Sequence, residues 1–184
     1  NKLDVLIFPS DSKQMITGEG IEEYYEKRFQ GMQTFPKWPD GYKTGIGKEG
    51  VEKIKEFIKD GGTVLALNES SNFAIEEFKL PVKNMLTDVK PTEFTCPGST
   101  LHVNVTSENQ LAWGVQKDLL IIFRSPLAFE VKPGKDSNQC NIVLNYPDER
   151  IMESGWLNGE EKLSKRAALV EVKMDKGRVV LYGF

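Results

Sequence analysis

The segment from Lys48 to Phe78 constrains the fold more than any other. Val51, Ile54, Phe57 and Ile58 recur at three- and four-residue spacing, and Lys48, Glu49, Glu52, Lys53, Lys55, Glu56 and Lys59 fill the positions between. This periodicity predicts an amphipathic helix over about 48–60, with Glu49 and Lys53 as an i,i+4 pair in the favourable order. Gly61-Gly62 stops it. The strand Thr63-Val64-Leu65-Ala66-Leu67 follows directly, then the polar turn Asn68-Glu69-Ser70-Ser71, then a second helix over about 72–78. Helix, glycine stop, strand, turn and helix in that order predict an α/β fold with a mainly parallel sheet.

The rest of the chain extends this frame. Leu3 to Phe8 is an apolar run closed by Pro9, which predicts a strand buried on both faces. Ser10-Asp11-Ser12 has the composition of a turn or helix cap. Ile21, Tyr24, Tyr25, Arg28, Phe29 and Met32 predict a short helix within 19–33, and Pro36, Pro39, Gly41, Gly45 and Gly47 a loop over 34–47. After residue 80 the character turns strand-rich. Leu101, Val103 and Val105 alternate with His102, Asn104 and Thr106, and further strands are expected over about 119–123, 127–131, 141–146, 167–174 and 178–182. The expected architecture is α/β, a flavodoxin-like three-layer sandwich whose mainly parallel sheet takes antiparallel additions in its second half. Because the chain opens and closes on strands, residues 1–184 are expected to form one incomplete domain of a longer polypeptide.

Composition narrows the function classes. Of 184 residues, 39% are apolar and 10% aromatic, too many for a disordered chain. Lys and Arg number 24 against 27 Asp and Glu, a net charge of −3, so the basic footprint of a nucleic-acid binder is missing. No apolar run nears the ~20 residues of a membrane span. One histidine, His102, and two cysteines, Cys96 and Cys140, are too few and too scattered for a zinc site, and no cofactor is expected in this chain.

Each candidate motif has a plain alternative. Gly45-Ile46-Gly47-Lys48-Glu49-Gly50 matches G-x-G-x-x-G, but it follows a loop rather than a strand and reads as the run-in to a helix. The turn after Leu67 is where an α/β enzyme exposes its nucleophile beside a helix start. Ser70 or Ser71 would serve there, yet the glycines of G-x-S-x-G are missing and both residues are ordinary caps. His102 occupies the polar face of its strand, and neither cysteine has a basic neighbour to lower its pKa. Asn68-Glu69-Ser70 and Asn104-Val105-Thr106 fit the glycosylation sequon. Asp148-Glu149-Arg150 and Glu160-Glu161 read as solvated loop charge. Trp156, between Gly155 and Leu157, either lines a groove or caps the core under a loop, and Arg124 is the second groove candidate.

With those residues in view, Gly61-Gly62-Thr63-Val64-Leu65-Ala66-Leu67-Asn68 through Glu76 resembles the class I glutamine amidotransferase-like domain, in the version found C-terminal to bacterial zinc carboxypeptidases. Glu93 to Ser99, Arg124 to Val131, Ser154 to Glu161 and Lys176 to Phe184 support the match in order. A similar domain forms the middle part of some β-galactosidases and serves subunit assembly there. The resemblance puts Asn68 where the family's nucleophilic Cys belongs in G-x-C-x-G, with Ala66 and Ser70 at the glycines. Asn cannot act as a thiolate, so the resemblance implies a non-catalytic accessory domain. It also implies an adjacent metallopeptidase domain holding any zinc, packing or homo-oligomer assembly as the work of this chain, and a secreted or periplasmic setting. Two alternatives stay open: a hydrolase using Ser70 or Ser71, and a small-ligand module at the elbow Asn68-Glu69-Ser70-Ser71.

Overall fold

The computed structural model describes residues 3–30, 41, 44–106, 108–124 and 127–184. Met32 and most of the expected 34–47 loop lie outside them. Among the described residues ten strands share one sheet: β1 (Val5–Phe8), β2 (Thr63–Leu67), β3 (Val82–Asn84), β4 (Ser99–Val105), β5 (Asp118–Phe123), β6 (Phe129–Val131), β7 (Cys140–Asn145), β8 (Met152–Ser154), β9 (Ala167–Met174) and β10 (Gly177–Tyr182). The main path runs β1-β2-β10-β9-β7-β4-β5. β1 pairs parallel with β2, and β2 parallel with β10. The ladders from β10 to β9 and onward to β5 are antiparallel. The α/β, flavodoxin-like class therefore holds, with a mixed sheet in place of a mainly parallel one: a parallel unit three strands wide with antiparallel additions beyond it.

Among the described residues four α-helices accompany the sheet: α1 (Lys13–Thr17), α2 (Ile21–Arg28), α3 (Gly47–Lys59) and α4 (Ser70–Glu77). α3 buries Val51, Ile54 and Ile58, the stripe expected from its spacing. Its end is fixed by Gly61 at φ 111° and by Gly62, where a Cβ would fall 2.3 Å from the Phe57 ring. α3 and α4 close one core over Val64, Ala66, Val179 and Leu181. Phe73 sits at its centre, fully buried, with its ring 5.5 Å from Phe8 and 5.8 Å from Phe78. A second core gathers Phe94, Leu101, Val103, Phe123, Tyr146 and Ile151 under the antiparallel strands. β9 serves both: Val170 and Val172 face the first core and Leu169 the second, which explains why it reads as an unbroken apolar run.

The expectation for the first strand needs correction. Leu6 and Phe8 pack on the helix-side core, but Val5 and Ile7 are 48% and 56% exposed. β1 is an edge strand in the described sheet, and its second face is bare. An apolar run shows that both faces are greasy; whether a second layer covers them is a tertiary fact.

Candidate functional site

The elbow forms where β2 ends. Asn68 lies between strand and helix at φ 50°, a left-handed conformation that Asn tolerates better than most residues. Its N–H donates to the Tyr182 carbonyl at 2.8 Å, and its own carbonyl accepts from the Ser71 N–H at 2.8 Å. The backbone thus has the shape in which a nucleophile is presented above a parallel sheet. The side chains are arranged for another purpose. Ser70 is fully buried; its hydroxyl donates to the Pro9 carbonyl and accepts from the Asp11 N–H at 3.1 Å, tying the end of β1 to the start of α4. Ser71 is also fully buried, its hydroxyl 2.9 Å from the Ala66 carbonyl and 3.0 Å from that of Tyr182. Both hydroxyls are turned into the backbone. Asn68 is 8% exposed, and its Oδ1 has no hydrogen-bond partner among the described residues. Its burial also shields that sequon in the folded chain.

The remaining candidates lie elsewhere. His102 belongs to β4, four strand positions from β2, roughly 19 Å along the sheet. Its Nε2 contacts the Glu153 carboxylate at 2.8 Å and its Nδ1 that of Asp118 at 3.1 Å; these hydrogen bonds raise its pKa. Cys96 is buried and Cys140 half-buried, and they are not bonded to each other. Burial and the nearby Asp136 push the Cys140 thiol up, away from the reactive thiolate. Asp148 pairs with Lys165 at 2.9 Å, and Glu160 accepts from the Ile151 N–H. The described residues contain no cluster of His, Cys, Asp and Glu able to hold a metal, and no helix long and apolar enough to cross a membrane.

The glycine motif has a packing explanation. A Cβ on Gly45 would fall 2.2 Å from the Gly18 nitrogen, and one on Gly50 2.6 Å from the Ile46 Cβ. The spacing lets the chain cross close behind α1, where the Ile46 N–H donates to the Ile16 carbonyl.

Two clefts remain. One of about 360 Å³ lies beside the elbow, lined by Ser10, Asp11, Met15, Tyr24, Tyr25, Arg28 and Glu69. Of the expected elbow residues it takes only Glu69. Arg28 donates to the Tyr24 hydroxyl at 2.6 Å. Tyr24 and Arg28 were legible only as helix positions, since α2 has five charged residues among eight and no clean apolar face to set them apart. The other cleft, about 470 Å³, is lined by Thr95, Pro97, Trp156, Leu157 and Asn158. Trp156 is 68% exposed, so it lines a groove rather than capping the core. The Ser99 hydroxyl holds its loop, accepting from the Trp156 N–H at 3.0 Å and donating to its carbonyl at 2.8 Å. Arg124 is exposed just past β5, outside that cleft.

The sequence matches no family model and no curated protein. Among solved structures, the cytoplasmic protein STM3548 from Salmonella typhimurium matches 97% of this chain and 59% of its own length, at 14% identity and a TM-score of 0.50. This chain therefore spans about three fifths of that protein. A putative ThuA-like protein from Parabacteroides merdae matches 78% of this chain and 57% of its own, at 13% identity and 0.46. A β-galactosidase from Bacillus circulans sp. alkalophilus matches 75% of this chain and 18% of its own, at 11% identity and 0.46. The Salmonella likeness is one of fold.

Proposed function

We propose that this chain is a non-catalytic accessory domain with a class I glutamine amidotransferase-like fold, acting through packing and assembly rather than chemistry. One observation carries the reading. The elbow keeps a nucleophile's backbone geometry, but Asn68 stands at its tip and the Ser70 and Ser71 hydroxyls are both consumed by backbone carbonyls. The sequence resemblance supports a wider setting: a secreted or periplasmic zinc carboxypeptidase-like protein whose adjacent metallopeptidase domain would carry the metal. An upstream coding sequence with a His-x-x-Glu zinc motif is the check on that setting.

The chemical claim is tested by glutamine hydrolysis and by an active-site phosphonate read by intact mass. No protein-dependent ammonia and no adduct are expected. Ammonia release lost on Asn68→Ala, or labelling at Ser70 or Ser71, would overturn the reading. A second reading, small-ligand binding, is favoured by the cleft beside the elbow, where Asp11, Glu69 and Arg28 converge near the carboxyl ends of β1 and β2. A thermal-shift screen with amino acids, sugars and dipeptides, repeated on Arg28→Ala, tests it. Stabilisation lost in that variant supports the cleft; no shift rules against it.

A further inference from the structure

The geometry of β5 points to a second copy of this chain as the partner of its outer edge. This deepens the assembly reading above but stands on separate observations. Among the described residues β5 pairs on one side, with β4, in an unbroken register from Asn104 opposite Asp118 to Ser99 opposite Phe123. The Val105 N–H donates to the Lys117 carbonyl. Backbone polarity alternates along an antiparallel strand, so odd-numbered residues bond β4, while Asp118, Leu120, Ile122 and Arg124 aim their N–H and C=O groups outward. The side chains of these same four residues occupy the exposed face, with Leu120 51% and Ile122 70% exposed. Such edges are normally blunted by lysine, proline or a bulge. Within Asp118–Phe123 there is none of these.

The sequence of the edge is self-complementary. A two-fold axis through Ile121 pairs the strand antiparallel with its own copy. It sets Asp118 opposite Arg124 of the second copy, Leu120 opposite Ile122, and the reciprocal pairs follow. Opposite charges then meet at both ends and apolar side chains in the middle, each arrangement favourable across strands. Neighbouring registers fail. Centring on Leu120 puts Asp118 against Ile122; centring on Ile122 puts Leu120 against Arg124. A one-residue slip sets outward-facing backbone groups against ones already bonded to β4. Arg124, a groove candidate from the sequence, becomes an interface residue.

Sedimentation equilibrium of the 184-residue chain over a concentration series tests this. The expected mass rises from one chain to two and no further. Ile122→Lys holds the mass at one chain. Arg124→Asp sets like charges opposite each other and weakens association roughly tenfold, and adding Asp118→Arg restores it, with circular dichroism confirming the fold. A native chain that stays monomeric, or a dimer indifferent to Ile122→Lys and Arg124→Asp, would overturn the inference. Either result leaves the non-catalytic reading intact, since that depends on ammonia release and labelling.

Discussion

At the carboxyl ends of β1 and β2, polar side chains turn inward. At the outer edge of β5, apolar side chains turn outward. The elbow has the backbone of a catalytic turn, yet Ser70 and Ser71 are buried and bonded to carbonyls of Pro9, Ala66 and Tyr182. The β5 edge instead leaves Leu120 and Ile122 exposed, and its outward backbone groups have no strand partner among the described residues. Shape alone would have placed function at the first region. The disposition of hydrogen-bonding groups places binding capacity at the second.

The largest effect is expected in the core beneath the elbow. Phe73→Ala removes the ring that α4 sets between Phe8 and Phe78, and is expected to cost about 3–5 kcal/mol in urea denaturation. A loss below about 1 kcal/mol would mean that α4 is not anchored as described. Ser71→Ala is next. It removes a fully buried donor shared by two carbonyls and is expected to cost about 1–3 kcal/mol. A neutral result would release Ser71 from the holding role and reopen the nucleophile reading.

The smallest expected effect sharpens the other region. His102 joins β4 to Asp118 of β5 and Glu153 of β8, and both contacts favour its protonated form. Its folded pKa lies above the unfolded value of 6.5. The contribution is therefore complete below 6.5 and lost as pH rises through the folded pKa. Because both carboxylates are exposed, it stays below about 1 kcal/mol and shrinks with salt. Melting temperature should fall slightly over that window in the native chain and stay flat in His102→Gln. Equal slopes would remove the clamp from the account.

Much of this contrast is legible in the sequence. The stripe of α3 follows from Val51, Ile54 and Ile58, and the glycine stop and strand from Gly61-Gly62 and Thr63 to Leu67, because local spacing specifies them. That Asn68 cannot act as a thiolate was legible as a residue type. The orientation of Ser70 and Ser71 was not, since a capping serine and an exposed nucleophile share one sequence and differ in which carbonyls lie nearby. Val5 and Ile7 misled for a related reason: apolar residues at an edge and in a centre look alike. The self-complementary pattern from Asp118 to Arg124 is plain in the sequence, but it carries meaning only once β5 is known to be an edge.

On the non-catalytic reading proposed above, the elbow is kept for its backbone shape. Equilibrium unfolding of Asn68→Gly beside Asn68→Val tests it most directly. The Asn68 Oδ1 has no partner among the described residues, so deleting the side chain forfeits no bond from that oxygen, and glycine accepts φ 50° freely. The account predicts that Asn68→Gly stays within about 1 kcal/mol of the native chain, while Asn68→Val loses at least the roughly 1–2 kcal/mol of left-handed strain. If Asn68→Gly unfolds as readily as Asn68→Val, the amide itself does necessary work, and the claim is wrong.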